Sequence, residues 1–592
     1  MSALHAVRGD RWRSRAGHLG GGFALVGSLA LLAACTPKGI ETGVTNSGGN
    51  TGTGNSGSGG NSGTGNSGSG GNSGTGNSGA GGNPGTGGAS PSAQACAQPN
   101  LGVPTLRLLT RLEVQTTLSA VFPELNGKWS SALPASQLSE SGFDNDSGTA
   151  PGNQFVSGLL DTGVSLATAL VGTDLANILP CSTSAADHAC AETFLSKYGR
   201  RLFHRAPTTA ERDRFLAFFD ASKAKSDFKT ALKWMTVGLI QSPSAVYRSE
   251  IGTDKGDGTR QLTGSEIATS LAYTFTGAPP SDDLVSKGES GSLGDLVATA
   301  KTMLATDAGK QTFQRFFEGY LAYTNTASIQ RPNVDKFSTV SSDMVNETRA
   351  FINDVVVQKA GGVKELLTAN TTNPSKALAS YYGFPAPASD YATITRPTGR
   401  GIGVLSQGAF LSTHASPDAS SPTRRGLFPF YRLLCQDKLT PPQNVPMITA
   451  PQPGQKTTRQ RYEEAHAGMG AACAYCHKQF DPIGFSMEHY DEGGRYRDNE
   501  GGLPINSAGT VVKADGTTVL SFTGQEDLAM GFSNLPVIHQ CAAAYLATYA
   551  FGSTESCLGA SQVADLQAGK IGLAAAFTQL AAEPHFTKRT SK

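Results

Sequence analysis

The sequence predicts a mainly α-helical, multi-domain body that follows a disordered linker rich in Gly, Ser and Asn. Apolar residues recur at three- and four-residue spacings through most of the chain, which is the period of an amphipathic helix. Several of these stretches begin with residues that cap helices. The length of 592 residues is enough for two to four domains.

The helical pattern is clearest in two neighbouring segments, Cys190–Phe203 and Phe228–Ile240. Between them, Thr208 is expected to cap another helix. A further helix is expected after Thr263, because Thr263 and Glu266 have the spacing of a capping box. The same period predicts helices over Leu293–Leu304, Thr312–Tyr323, Ser341–Val357, Pro536–Phe551 and Ala560–Ala582.

Short strands are expected between Thr510 and Phe522, where β-forming side chains flank a turn at Asp515-Gly516. Beyond the first forty residues, no apolar run approaches the roughly 18 residues that a membrane-spanning helix needs. The 48 basic and 47 acidic residues give a net charge of +1. This balance excludes a polybasic nucleic-acid binder, so no nucleic-acid partner is expected.

The first 34 residues have the pattern of a bacterial export signal. Basic residues at positions 8 to 15 precede the apolar stretch Gly22–Ala34. The stretch ends in Leu32-Ala33-Ala34-Cys35, which resembles a lipobox and implies lipid attachment to Cys35 after cleavage. Acyl chains at Cys35 would anchor the protein to the cell envelope, and Thr36 favours the outer membrane. An ordinary signal peptide with an incidental Cys is the alternative.

Residues 35–95 are expected to form a flexible tether. Gly-Gly pairs recur at positions 48, 59, 70 and 81, so the segment is an 11-residue repeat of Gly, Ser, Asn and Thr. Such a composition can neither hold a helix nor bury a core. A flexible chain of this length spans about 40 Å, enough to hold a folded body away from a membrane.

Six of the nine cysteines are expected to pair, because an exported chain matures in an oxidising compartment. Proximity in the sequence favours the disulfides Cys181–Cys190 and Cys541–Cys557. Cys96–Cys435 is then the remaining pair. Six cysteines allow 15 pairings in all.

Cys473-Ala474-Tyr475-Cys476-His477 is the motif with chemical content. Two thiols three positions apart, followed by His, form the attachment signature of c-type haem. Cys473 and Cys476 would bind the porphyrin covalently, and His477 would be the proximal iron ligand. A backbone carbonyl in the turn expected at Asp481–Phe485, such as that of Pro482, would orient His477. The alternatives are a Cys473–Cys476 disulfide and part of a zinc site, which would need two further ligands.

Several residues are candidates for a sixth iron ligand. Met530 lies at a sequence separation typical of small cytochromes, and His414 would reach the iron from an earlier segment. For Met487 or His489 to ligate the iron, the short segment after His477 would have to pass from one face of the haem to the other. A sixth position that is open or holds water is a further alternative.

Most of the chain after the linker resembles a planctomycete and myxobacterial family of exported multi-domain proteins with a cytochrome-like module. The matching segments are Leu109–Glu113 with Gly142–Asn145, Phe194–Phe203 through Ser242–Arg248, Leu262–Gly277, Phe313–Tyr323, Ser421–Gly426, Pro441–Pro446, Cys473–Arg497 and Tyr549–Gly552. The resemblance implies a cytochrome-like module around Cys473–His477 and several domains of unsettled role. His489 stands where the family usually has Asn, so the resemblance gives this residue no ligand role.

These observations divide the chain into seven parts. They are a lipoprotein signal peptide (1–34), the tether (35–95), an N-terminal helical domain (96–180), a second helical domain (181–255), a central helical domain (256–395), a cytochrome c-like module (396–505) and a C-terminal helical domain (506–592).

The sequence favours a lipid-anchored protein of the cell envelope that carries covalent haem c and transfers electrons to or from a redox partner protein. Two alternatives stay open. The first is a disulfide-stabilised surface module that binds or supports envelope material without haem. The second is a haem enzyme whose iron keeps an open sixth position.

Overall fold

The structure is a computed structural model, and it describes residues 101–184, 186–439, 455–468 and 471–591. These residues are mainly helical, which confirms the predicted fold class at this level. The predicted signal peptide, the predicted lipidation site at Cys35, the predicted tether, and Cys96 of the predicted Cys96–Cys435 pair lie outside the described residues.

The N-terminal third is a cluster of helices with short strands. Its elements are β1 (Thr105–Leu108), α1 (Arg111–Val121), α2 (Asn153–Gly172), α3 (Leu175–Ile178), α4 (His188–Phe194), a π-helical turn (Leu195–Gly199), α5 (Arg200–Phe203), α6 (Thr209–Lys223), α7 (Phe228–Ile240), α8 (Pro243–Val246), β2 (Tyr247–Glu250), β3 (Thr253–Asp254) and β4 (Thr259–Gln261).

The central part continues the helical pattern. It comprises α9 (Gly264–Thr276), α10 (Asp282–Glu289), α11 (Leu296–Leu304), α12 (Asp307–Leu321), α13 (Phe337–Ile352), a π-helical turn (Asn353–Gln358), α14 (Val363–Thr368), β5 (Thr371–Thr372), α15 (Lys376–Tyr382), β6 (Ile394–Thr395), α16 (Gly408–Thr413) and α17 (Pro422–Arg432).

The C-terminal part contains the predicted chemical motif. Its elements are α18 (Thr458–Gly468), α19 (Ala471–Phe485), β7 (Asn499–Glu500), β8 (Leu503–Pro504), β9 (Gly509–Val512), β10 (Thr518–Phe522), α20 (Gln525–Ser533), α21 (Pro536–Phe551), α22 (Ala560–Gln567), α23 (Leu573–Gln579) and β11 (Lys588–Thr590).

Local sequence signals account for several helix starts. Thr208 and Thr263 cap α6 and α9, and each forms a capping box with the Glu three residues later. These reciprocal hydrogen bonds satisfy backbone N–H groups that have no partner inside the helix. The hairpin of β9 and β10 also forms as predicted, with Gly516 in the left-handed region that the turn requires.

Two large hydrophobic cores and one small cluster, Ala268 with Ala272 and Leu284, organise the described residues. The smaller core is built mostly from residues of the N-terminal helices between Leu109 and Val246. The larger core draws on residues from Phe143 to Phe586, so the central helices, the motif region and the C-terminal helices pack together. The motif region is therefore fixed to the rest of the body by apolar contacts.

One helix contradicts the expectation that no segment beyond the first forty residues is long and apolar enough to span a membrane. Helix α2 has 20 residues with a mean hydropathy of 1.5, so by length and composition it could cross a membrane. Its residues Leu159, Leu166 and Leu170 lie in the smaller core, and Gly163 packs against Ile240 of α7. This packing accounts for its apolar character as a core helix.

The disulfides agree with the predictions in part. A disulfide joins Cys181 and Cys190, the pair that proximity favours. The second joins Cys435 and Cys541 across a separation of 106 residues, so the predicted pairs Cys541–Cys557 and Cys96–Cys435 are both wrong. Proximity in sequence fails here because Cys435, just after α17, packs against α21 in the larger core. Cys557 is also disulfide-bonded.

Candidate functional site

Helix α19 carries the Cys473–His477 motif in its first two turns. Positions three and four apart lie on the same face of a helix, so Cys473, Cys476 and His477 share one side of α19. Both cysteines are partly buried free thiols. The disulfide that would make this motif purely structural is therefore not formed in this structure.

The orientation of His477 is set one turn further along α19. The Nδ1 atom of His477 lies 3.0 Å from Oδ2 of Asp481. Because an ionised carboxylate can only accept, Nδ1 carries the proton and donates it, which leaves Nε2 unprotonated and able to coordinate a metal. The partner is thus a carboxylate, and the predicted role of the Pro482 carbonyl is wrong. That carbonyl accepts from the backbone N–H of Ser486 instead.

The segment Asp481–Phe485 is also not the predicted turn. It forms the last part of α19, with Pro482 inside the helix. Gly484 explains how the helix can continue against its neighbour. A Cβ atom at Gly484 would lie 1.9 Å from the Pro422 carbonyl oxygen, and one at Gly426 would lie 1.9 Å from that of Phe480. Glycines at both positions allow the backbones of α17 and α19 to touch.

This close contact brings Thr423 of α17 to the site. Its Oγ1 donates to Oδ1 of Asp481 at 2.7 Å and lies 3.5 Å from Nδ1 of His477. Both carboxylate oxygens of Asp481 are therefore occupied. Thr423 lies within a segment that carries the family resemblance, but no sequence pattern indicates this contact.

His466 of α18 completes the cluster, and sequence reasoning missed it. Its ring stacks on the ring of His477 with 3.4 Å between centroids. Its Nδ1 lies 2.7 Å from the same Oδ2 of Asp481. A weak signal exists, since Thr458, Tyr462 and His466 recur every four residues and form the buried face of an otherwise polar helix.

The electrostatics favour an ionised Asp481. Burial of the carboxyl group acts to raise its pKa, but hydrogen bonds from His466, His477 and Thr423 outweigh burial. The net effect is a pKa below the ordinary range of an aspartate. Asp481 is thus a buried anion held between two imidazoles and a hydroxyl group.

The predicted sixth ligands lie elsewhere. His414 is buried between Phe410 and Phe428, with ring centroids 4.8 and 4.4 Å away, and burial lowers its pKa to about 3. Met530 is 49% exposed. It lines a cavity of about 530 Å³ together with His489, whose Nδ1 donates to the Arg497 carbonyl at 3.0 Å. Met487 is buried in the larger core.

His477 has a different set of neighbours. Among the described residues, its side-chain hydrogen bonds and ring contacts are with Thr423, His466, Phe480 and Asp481. The structure therefore brings His489 and Met530 to one cavity but places neither beside His477, and the same holds for His414.

The cluster has two chemical capacities. Two free thiols and an imidazole with an available Nε2 on one helix face fit the covalent attachment and axial ligation of haem c. In addition, His466, His477 and Asp481 offer ligand atoms within 4.8 Å of one another, a spacing that can hold a single metal ion.

Comparison with known families places this cluster in a recognised domain. Residues 400–500 match the family PSCyt3, a protein of unknown function (DUF1588). Residues 262–384 match PSD4 (DUF1592), and residues 190–250 match PSD5 (DUF1595), both also of unknown function. The chain contains three domains of unknown function. No curated protein and no solved structure matches the chain.

These matches confirm the family resemblance at the level of its domains. The PSCyt3 match covers Thr423, His466, His477 and Asp481, so the whole cluster lies within one matched domain. The name of that domain points to a cytochrome-related multi-domain protein.

Proposed function

We propose that the chain is an exported c-type haem protein that transfers electrons at the bacterial cell envelope. The observation that carries the proposal is the face of α19, where two free thiols and an oriented imidazole lie together. Cys473 and Cys476 would hold the porphyrin through thioethers, and His477 would ligate the iron through Nε2. Bound haem would supply an iron centre that changes its oxidation state by one electron.

The protein residues around the motif have defined tasks in this proposal. Asp481 fixes the tautomer and the orientation of His477, and Thr423 fixes Asp481. Partial burial of both thiols and of His477 would limit the access of water to this side of the haem. His466 covers one face of the His477 ring and restricts its rotation.

The location of the protein is part of the same proposal. The lipobox at Leu32–Cys35 supports lipid attachment at Cys35, and the repeat within residues 35–95 supports a flexible connection to the outer membrane. Such a tether would allow the haem domain to reach a redox partner protein at different distances from the membrane. Export also agrees with the bacterial assembly of c-type haem outside the cytoplasm.

The test is a pyridine haemochrome spectrum of the full chain, produced in a host with c-type cytochrome maturation. We expect the spectrum of haem held by two thioethers, and we expect Cys476→Ala to lose it. Tyr475→Ala is the matched control, because Tyr475 lies between the two cysteines but is 45% exposed, and it should retain the spectrum. A colourless wild type, made where a known cytochrome matures normally, would refute the haem proposal.

The same preparation tests the alternative use of the cluster. If the protein is colourless, metal analysis of the wild type and of His466→Ala shows whether His466, His477 and Asp481 hold a metal ion instead. A colourless and metal-free protein would leave the surface-module alternative.

A haem enzyme with an open sixth iron position is the second candidate. It is favoured because His414 is enclosed between Phe410 and Phe428, and because His477 does not line the cavity that His489 and Met530 share. An open position would admit a small ligand such as oxygen or peroxide.

Carbon monoxide distinguishes this candidate from a six-coordinate electron carrier. With an open position, the reduced protein binds carbon monoxide, and Met530→Leu leaves the spectra of both oxidation states unchanged. Failure to bind carbon monoxide, or an altered spectrum in Met530→Leu, would instead indicate a sixth ligand supplied by the protein.

A further inference from the structure

The most unusual feature of the cluster is that two imidazoles share one carboxylate oxygen. Oδ2 of Asp481 is 2.7 Å from Nδ1 of His466 and 3.0 Å from Nδ1 of His477. The other oxygen, Oδ1, accepts from Thr423. His477 therefore has the longer of two bonds to an oxygen for which His466 competes.

The competition for Oδ2 takes place in a site that is largely closed to water. The side chain of Asp481 is only 5% exposed and that of His466 only 9% exposed. Hydrogen bonds to a charged group are stronger where water is excluded, so a change in one bond to Oδ2 alters the other. His466 is held in place by its stack on His477 and by the edge of its ring against Tyr462, with 5.6 Å between centroids.

The hydrogen bond on Nδ1 controls how strongly an imidazole donates electrons through Nε2. A carboxylate acceptor makes the imidazole a more basic ligand than a neutral carbonyl does. A more basic axial ligand stabilises the oxidised iron and so lowers the reduction potential. An acceptor shared with a second imidazole gives His477 only part of this effect.

We propose that His466 is a positioning residue that sets the reduction potential of the iron centre by sharing Asp481 with His477. The inference rests on the proposed attachment of haem at Cys473 and Cys476. It assigns a role to a residue outside the Cys-x-x-Cys-His motif. It also predicts that changes at His466 and at Asp481 shift the potential in opposite directions.

The experiment measures the midpoint potential by spectroelectrochemistry and the iron–histidine stretch of the reduced protein by resonance Raman spectroscopy. Asp481→Asn replaces the anion by a neutral acceptor, so the potential should rise and the stretching frequency should fall. His466→Phe keeps a ring over His477 but removes its N–H. The potential should then fall and the frequency should rise, because Oδ2 accepts from His477 alone.

A double-mutant cycle separates this mechanism from a simple charge effect. If His466 acts through Asp481, His466→Phe has no effect on the potential in the Asp481→Asn background. If His466 acts only as a nearby positive charge, its replacement lowers the potential equally in both backgrounds, and the proposal is overturned. Asp515→Asn, which removes one negative charge from an exposed turn, should leave the potential unchanged.

The outcomes also separate this inference from the haem proposal. A wild type without covalent haem contradicts the proposed function itself. If the wild type holds haem but the reduction potential of His466→Phe is unchanged or raised, only the role of His466 is overturned. If Asp481→Asn takes up no haem, Thr423→Val serves as the second variant. It removes a donor to Asp481 and should lower the potential, and a rise would count against the proposal.

Discussion

Replacing Arg425 by Met is expected to destabilise the protein by about 4 kcal/mol, within the range for breaking a buried ionic network. Arg425 lies in α17 and is completely buried. Its guanidinium donates to the carbonyl oxygens of Leu411, Met487, Tyr490 and Asp491. It also lies 3.8 Å from the buried carboxylate of Glu488.

The size of the effect follows from what the substitution leaves behind. Met has a similar length and fills most of the same volume, so little of the loss comes from a cavity. Four carbonyl groups would lose their charged donor, and those of Met487 and Asp491 would keep a backbone N–H donor. Each buried polar group left without a partner costs about 1–3 kcal/mol. Glu488 would lose one of its two cationic partners and keep only Arg497, 3.3 Å away.

Urea unfolding of the wild type and of the variant measures the effect, and Arg424→Met is the matched control. Arg424 is adjacent in sequence but exposed, and it donates to the carbonyl of Ala415 at 3.2 Å. The control should lose about 1 kcal/mol or less. Similar losses for the two variants would contradict the special role of Arg425.

Arg425 also matters for the candidate site. It ties α17 to the backbone that follows α19, next to the contact between Gly426 and Gly484. Thr423 lies on the same helix, two residues before Arg425. We therefore expect a variant that loosens this attachment to disturb the contact of Thr423 with Asp481 as well.

Helices and their caps could be predicted from the sequence because they depend on residues a few positions apart. Thr208 and Thr263 illustrate this, since each cap needs only a Glu three residues later. The hairpin around Gly516 has the same local character. The disulfide Cys435–Cys541 does not, because it depends on how α17 and α21 pack, which no local pattern reveals.

The same distinction between local sequence signals and tertiary packing applies to the candidate site. Cys473, Cys476 and His477 could be identified because the chemistry of the motif fixes their spacing. Asp481 lies one helical turn after His477, so its contact could have been predicted had the helix been expected to continue through Pro482. His466 could not be identified as a partner, because its contact depends on the packing of α18 against α19.

A second large effect is expected at Glu250, where Glu250→Gln should cost about 3–5 kcal/mol near neutral pH. Glu250 lies at the end of β2 and is buried. It pairs with Arg589 of β11, with Arg248 of its own strand at 3.4 Å, and with Arg107 of β1 at 3.9 Å. The neutral amide would leave three buried arginines without their shared anion.

The pH dependence of this loss identifies its cause. Burial acts to raise the pKa of Glu250, but Arg589, Arg248 and Arg107 lower it to about 2, below the ordinary value of 4.5. A carboxyl group with a depressed pKa stabilises the folded state above its unfolded pKa. That stabilisation is lost as the pH falls through the folded value. The difference between wild type and Glu250→Gln should therefore shrink between pH 4.5 and about 2.

Urea unfolding at a series of pH values checks this expectation, with Glu464→Gln as the control. Glu464 pairs with Lys456 on the surface, where both side chains are at least 50% exposed, and such pairs contribute about 1 kcal/mol or less. A loss in Glu250→Gln that stayed constant down to the lowest pH would assign the effect to packing and not to charge. Arg107 also donates to the carbonyl of Ala550 at the end of α21. A charge-dependent loss would show that this network, which connects the N-terminal strands with the end of α21, stabilises the fold through its charges.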